Sequence, residues 1–436
     1  MPREYQVQGV PVSDLARRYG TPFFVYDGQV LHDRFHGLRR RLHSAVEIFY
    51  SLKANPNVSV CALLRSFGAR AEISSLVELR TARRAGVAPE DIIFLGPGKS
   101  RQELAACLDE GVFAIVCESF PELALVDELA RDRGVRAPVA LRINPSFAVK
   151  RSGLAMGGKP RQFGIDEEQV FAEAGLAGRF PGVEVIGVHV YMGTRILEED
   201  VVVENTTRIL ELAERVAAHL AVPLRMVDVG GGLGVDYFSG ETGLDPAVLA
   251  GKLDPVIAGF TARHPGTRLI MEVGRYLTAE SGTYVVAVRY VKTSMGERFA
   301  VADGGTNHHM AAVGIGSFVK RNFPMAVLNR LDEPATEDWN ITGPLCTPND
   351  TLGKKVPLPP VRAGDLIGVL RSGAYGPTAS PVLFLSHGYP AEVLVHEGRP
   401  HLIRERDLPE DLMARQRLYD PAEPDPAARN ATDIVP

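Results

Sequence analysis

Residues 224–237 read LRMVDVGGGLGVDY: a short apolar run rich in β-formers that breaks into Gly230, Gly231, Gly232 and Gly234. A run of that length suits a buried strand. The bare backbone N–H groups behind it can approach a phosphate. The segment lacks the GKS or GKT ending of a P-loop. It also comes late in a series of similar strands, whereas a Rossmann glycine motif opens the first βα turn.

Six comparable runs precede it: VEIFYSL (46–52), RAEISS (70–75), DIIFLG (91–96), VFAIVCE (112–118), PVALRIN (138–144) and VEVIGVHVY (183–191). One follows, RLIMEVG (268–274). Between them lie stretches with apolar residues at helical spacing, such as ESFPELALVDELARDRG and ENTTRILELAERVAAHL, several of which end at glycine. Near-continuous apolar strands alternating with helices predict an α/β fold whose eight units close into a (β/α)8 barrel, with an open doubly wound sheet as the alternative.

After residue 280 the rhythm changes to strands with turns and little helix, as in TYVVAVRYVKTS, DLIGVLRSG and AEVLVHEGRPHLIR. This predicts a barrel over 26–282 and a β domain over 283–415 that also takes residues 1–25. The tail from 416 to 436 has the composition of disorder.

The 48 basic and 53 acidic residues give a net charge of −5, without the basic surplus that nucleic-acid binding requires. The first 20 residues carry charge where a signal peptide needs an apolar core, and no run approaches the roughly 18 apolar residues of a membrane span. A cytoplasmic protein without a membrane partner is expected. Cys61, Cys107, Cys117 and Cys346 are too scattered for CxxC metal spacing or a disulfide framework, so no metal is expected.

Barrel active sites form at the carboxyl ends of the strands. The first strand ends in YSLKAN, aiming Lys53 at the mouth; it is either a solvated surface amine or, with burial lowering its pKa, an amine able to condense with an aldehyde cofactor. The sixth delivers His189, a core histidine or a site residue. The eighth delivers Glu272, a salt-bridge partner or a site carboxylate, with Gly274 and Arg275 just beyond.

Six ordered segments, YSLKAN (50–55), GVHVYMGT (187–194), GGGLG (230–234), EVGR (272–275), GPLCTPND (343–350) and SGAYG (372–376), resemble the fold-type III decarboxylases dependent on pyridoxal phosphate (PLP). That group holds the diaminopimelate and ornithine decarboxylases. The resemblance implies an alanine-racemase-type barrel with a C-terminal β domain. It makes Lys53 the Schiff-base lysine, His189 the residue stacked on the pyridine ring and Glu272 the partner of the ring nitrogen. It assigns Gly232, Gly234, Gly274 and Arg275 to the phosphate. It also implies a homodimer in which Cys346, the proton donor, and Tyr375, a cofactor ligand, enter from the partner chain.

Two departures bear on the substrate. Thr347 follows Cys346 where the family carries a carboxylate for a distal ammonium, and DGGTNHHMAAVG (303–314) replaces an RPALY-like clamp. Thr347 and Arg275 are the expected substrate contacts. These segments are most similar to decarboxylases that act on glutamate held as a thioester on an acyl carrier protein. The alternatives are a diaminopimelate or basic amino-acid decarboxylase and a non-catalytic regulatory homologue.

Overall fold

The computed structural model describes residues 3–148, 154–173, 175–313 and 321–419. The eight apolar runs form strands β1 (Val46–Ser51), β2 (Arg70–Ile73), β3 (Ile92–Phe94), β4 (Ala114–Cys117), β5 (Ala137–Asn144), β6 (Val183–His189), β7 (Met226–Gly231) and β8 (Arg268–Val273). Each pairs in parallel with the next, and β8 pairs with β1, so the barrel closes. Phe49, Ile93, Val116, Ala140, Ile186, Met226 and Ile270, one from each of seven strands, pack together in one apolar cluster. A two-residue strand, Ile165–Asp166, adds in parallel to the carboxyl end of β5.

Local sequence starts the outer helices. Ser75, Ser100 and Ser119 each accept a hydrogen bond from the backbone N–H three residues on, and the Glu103 carboxylate accepts one from the Ser100 N–H, completing a capping box. The connection after β4 therefore turns at once into the helix Phe120–Asp132, which packs back on the sheet.

The β domain is built on Gly282–Ser294, a strand that pairs with Phe23–Asp27, Glu297–Ala302 and Leu366–Val369. Phe23–Asp27 lies between Gly282–Val285 and Ala391–Val395. The boundary expected at 25/26 thus falls inside a strand. Phe23 to Tyr26 are all buried, so the chain leaves this sheet only at Asp27, whose carboxylate caps the first barrel helix, Gly28–Arg39. Val12 and Leu15, from the helix Val12–Tyr19, pack with Phe23, Val285 and Val393 in a separate apolar cluster.

The expected disordered tail lies, from residue 420 onward, outside the described residues. Among the described residues no helix is long and apolar enough to cross a membrane.

Candidate active site

A cavity of about 650 Å³ opens at the carboxyl ends of the strands, lined among others by Lys53, Tyr191, Glu272, Arg275 and Tyr375. Lys53 sits in a single turn, Leu52–Ala54, directly after β1. Two residues hold that turn. The Tyr50 hydroxyl donates to the Asn55 carbonyl at 2.7 Å, and the Tyr375 N–H donates to the Ala54 carbonyl at 2.7 Å. The Lys53 side chain keeps 37% of its surface open, and its Nζ lies 2.8 Å from Glu72 Oε2 and 3.5 Å from Glu272 Oε2.

These contacts correct the expectation that burial lowers the Lys53 pKa. Burial does push it down, but the Glu72 and Glu272 carboxylates outweigh that and hold the amine well above its ordinary value. Glu72, at the end of β2, was not among the predicted site residues.

Glu272 is buried at the end of β8, and its Oε1 is 2.7 Å from His189 Nε2. Burial raises its pKa, yet Lys53 and the His189 hydrogen bond bring the carboxyl below the ordinary range. His189 is itself lowered by burial despite Glu272. A neutral imidazole donating from Nε2 to an ionised Glu272 satisfies both shifts. Among the described residues Glu272 Oε2 has no hydrogen-bond partner, and it belongs to a residue that lines the cavity.

His189 does not line the cavity, which corrects its expected stacking role. Side chains at 189 and 191 point to the same side of an extended chain, but 189 lies one layer deeper, fully buried beside Glu272 and Asp228. Tyr191 reaches the cavity instead, its ring centroid 5.8 Å from Lys53 Nζ. Asp228 closes this deeper layer. Its Oδ1 accepts from the Gly230 N–H at 2.9 Å, and burial raises its pKa with the Glu272 charge nearby.

The glycines serve close packing. A Cβ on Gly232 would stand 2.0 Å from the Gly193 carbonyl, and Gly232 has φ +73°. One on Gly274 would stand 2.9 Å from Ala54 Cβ, so this glycine lets the end of β8 meet the Lys53 turn. The Gly234 N–H is already bonded to the Ile196 carbonyl at 2.9 Å, so it is not a free donor for a phosphate, contrary to expectation.

Arg275 donates to the Tyr237 hydroxyl at 3.0 Å and lies 4.5 Å from the Tyr375 ring centroid. Tyr375 therefore belongs to the cavity of its own chain. The expectation that it enters from a partner is overturned, because residues 372–376 are tied to the barrel: Asn55 Nδ2 donates to the Gly373 carbonyl at 3.2 Å, and the Gly373 N–H donates to the Ala279 carbonyl at 2.9 Å.

Cys346 and Thr347 stay outside this assembly. Cys346 is exposed, neither residue lines the cavity, and Thr347 Oγ1 accepts from the Asn349 N–H at 3.3 Å within its own loop. Arg142, paired with Glu118 at 2.8 Å, also lines the cavity and was missed, as were Tyr191, Asp228 and Tyr237. Glu72, Arg142 and Asp228 all lie within the eight runs. Inspecting the polar residues of every run would have found them.

Residues 29–279 match the pyridoxal-dependent decarboxylase family over its pyridoxal binding domain. The chain belongs to that family. The decarboxylase is 39% identical to the L-glutamyl-[BtrI acyl-carrier protein] decarboxylase of Niallia circulans over 93% of this chain and 96% of that protein. It is 30% identical to the diaminopimelate decarboxylase of Aquifex aeolicus, with 93% of each chain covered. The solved diaminopimelate decarboxylase of Helicobacter pylori, complexed with L-lysine, superposes with a TM-score of 0.82 at 28% identity over 92% of this chain and 98% of that one.

The barrel with its C-terminal sheet domain is the alanine-racemase-type architecture, and the cofactor is PLP. The donor set suits that cofactor. The cavity joins an amine, a buried carboxylate with one oxygen that accepts no hydrogen bond from the described residues, and an arginine whose buried Nε donates none to them.

Proposed function

We propose that this decarboxylase removes the α-carboxyl group of a glutamate-like amino acid held as a thioester on a carrier protein. The observation that carries the reading is the 39% identity, over nearly the whole chain, to an enzyme named for that substrate. Thr347 supports it, since a distal ammonium would meet no carboxylate there. A thioester removes the distal charge altogether.

PLP, when bound, supplies an electron-poor ring that accepts the electron pair left by CO2 loss. Lys53 Nζ would hold the aldehyde carbon, and Glu72 Oε2, at 2.8 Å, is the carboxylate oxygen in reach of its proton. Glu272 Oε2 would keep a proton on the ring nitrogen, with His189 fixing the carboxylate from behind. Tyr191 would cover the ring face, and Arg275 with Tyr375 would receive the phosphate. Glycines 232 and 274 would let the backbone approach it.

The reading includes a homodimer in which Cys346 and Thr347 of one subunit face the cavity of the other. The thiol is exposed and absent from its own chain's cavity wall, so it needs a partner to reach the reacting carbon. Cys346 would then return a proton after CO2 leaves.

Diaminopimelate decarboxylation is the second reading, favoured by the 30% identical relative and by the lysine-bound structural neighbour. Mass spectrometry of CO2 loss from free glutamate, diaminopimelate, ornithine and lysine, against a carrier-bound glutamyl thioester, separates the two. The thioester should be preferred by on the order of tenfold or more in kcat/KM. Turnover of free diaminopimelate at or above roughly 10⁴ M⁻¹s⁻¹, the low end for working enzymes, would replace the carrier reading with the second one.

A further inference from the structure

We propose that Arg195 and Arg321 form an outer subsite at the cavity mouth for the phosphate of a phosphopantetheine arm, the group on which acyl carrier proteins present their cargo. This rests on the carrier-held substrate of the preceding reading and names how that substrate is gripped.

The wall of the cavity is a ladder of alternating aromatic rings and guanidinium groups. Arg275 lies 4.5 Å from the Tyr375 centroid and 5.5 Å from that of Tyr237. Arg195 lies 5.7 Å from Tyr237 and 5.1 Å from Phe238, and Arg321 lies 4.5 Å from Phe238. The ladder begins beside the Lys53 turn, which Tyr375 holds, and ends in solvent. Arg275 is partly buried, and the side chains of Arg195 and Arg321 are 30% and 43% exposed. An elongated substrate reaching Lys53 passes the outer two.

Charge at the outer rungs is unbalanced. Glu241 Oε1 is shared by Arg195 at 3.4 Å and Arg321 at 3.0 Å, while its Oε2 accepts from the Phe238 N–H at 3.3 Å. Arg321 also donates to the Ser239 carbonyl at 3.0 Å. Among the described residues one carboxylate thus serves two guanidiniums, and Arg195 Nε is buried without a hydrogen-bond partner. An oxyanion would complete the pair with charge-assisted hydrogen bonds.

Arg195 is also fixed in place. Its backbone has φ +58°, a left-handed conformation that is uncommon for a residue with a side chain and costs on the order of 1–3 kcal/mol. Two backbone hydrogen bonds beside it, Ile196 N–H to the Gly232 carbonyl at 3.0 Å and Gly234 N–H to the Ile196 carbonyl at 2.9 Å, tie this turn to the glycine loop. Contact with the aromatic rings and the shared Glu241 carboxylate restrain both guanidiniums, so less side-chain freedom remains to be lost on binding. Grip on a group far from the reacting carbon adds binding energy that the chemical step can use.

The test compares glutamyl thioesters of pantetheine, phosphopantetheine and the carrier protein with wild type and Arg321→Gln. Loss of one charge-assisted contact should raise KM about tenfold for the two phosphate-bearing substrates. It should leave kcat and the pantetheine thioester nearly unchanged. Calorimetry with phosphopantetheine alone provides an arm free of turnover, in which binding to Arg321→Gln should weaken by the same factor. Equal KM increases for all three thioesters, no increase for any, or a larger effect on free diaminopimelate, whose distal carboxylate is the rival anion, would each overturn the proposal. If wild type turns over no thioester, the carrier reading fails, and calorimetry still decides the subsite: unchanged phosphopantetheine affinity in Arg321→Gln overturns it.

Discussion

Two buried carboxylates organise this molecule in opposite ways. Glu272, at the barrel mouth, accepts from His189 on one oxygen and leaves the other without a hydrogen-bond partner among the described residues. Asp350, in the β domain, is saturated: Oδ1 accepts from the Thr306 N–H at 2.8 Å and the Thr306 hydroxyl at 2.9 Å, and Oδ2 accepts from the Leu345 N–H at 2.7 Å. Glycines allow this closeness, since a Cβ on Gly305 or Gly343 would stand 2.2 or 2.4 Å from an Asp350 oxygen. An acid with a spare lone pair beside a cavity is suited to a ligand, whereas a saturated one is a joint between loops. The Asp350 joint fixes the base of the loop that carries Cys346 outward.

The largest expected effect falls on the barrel side. Lys53→Ala should cut turnover on the order of 10³-fold or more, as removal of a covalent catalytic group commonly does. Borohydride treatment should then leave no cofactor attached to the protein. A borohydride-fixed adduct at near wild-type activity would refute the assignment.

Asp350→Ala tests the other half of the comparison. It leaves three donors without their acceptor, at a cost of about 3 kcal/mol when water enters to satisfy some of them. Thermal unfolding should shift down by several degrees while cofactor affinity stays near wild type, because the barrel wall is untouched. A variant that keeps its melting temperature but loses the cofactor would reverse the roles given to the two acids.

A smaller effect separates the regions by pH. The β domain buries neutral groups beside the Asp350 joint: His308 pairs with Tyr284 and His309 with Ser372, and burial pushes their pKa values down to about 4 and about 3. As pH falls below about 6.5, the unfolded chain takes up protons that the folded one refuses, so stability declines on acidification through the window from there toward 4. Each group contributes at most about 1.4 kcal/mol per pH unit. His309→Asn should flatten the fall in melting temperature between about pH 6.5 and 5, measured without cofactor. An unchanged slope would show that His309 is not a source of it.

The fold was legible because each barrel strand is a short apolar run and several of the helices between them begin at a capping serine or end at glycine. The entry of Phe23–Asp27 into the β-domain sheet was legible only in outline, since pairing across more than 250 residues leaves no local pattern. At the site, residues closing strands β1 and β8 were found, while Glu72 and Arg142 were passed over inside apolar runs. His189 was misread because Tyr191, two residues beyond it and past the end of β6, points the same way but lies nearer the mouth, a difference in depth that alternation does not encode. Tyr375 was given to the wrong chain, because nothing in its segment records the hydrogen bonds that tie it to Ala54 and Ala279.

In the proposed homodimer one subunit supplies Lys53 and Tyr375 while the other supplies Cys346. Mixing inactive Lys53→Ala with inactive Cys346→Ala subunits tests it most directly. Random exchange between independent sites should restore up to about a quarter of wild-type activity, since half of the dimers are mixed and one of their two sites is intact. Mixing Lys53→Ala with a disabled Tyr375 variant should restore nothing, because no site then holds both residues. A Lys53→Ala and Cys346→Ala mixture that stays inactive despite proven subunit exchange would contradict the account.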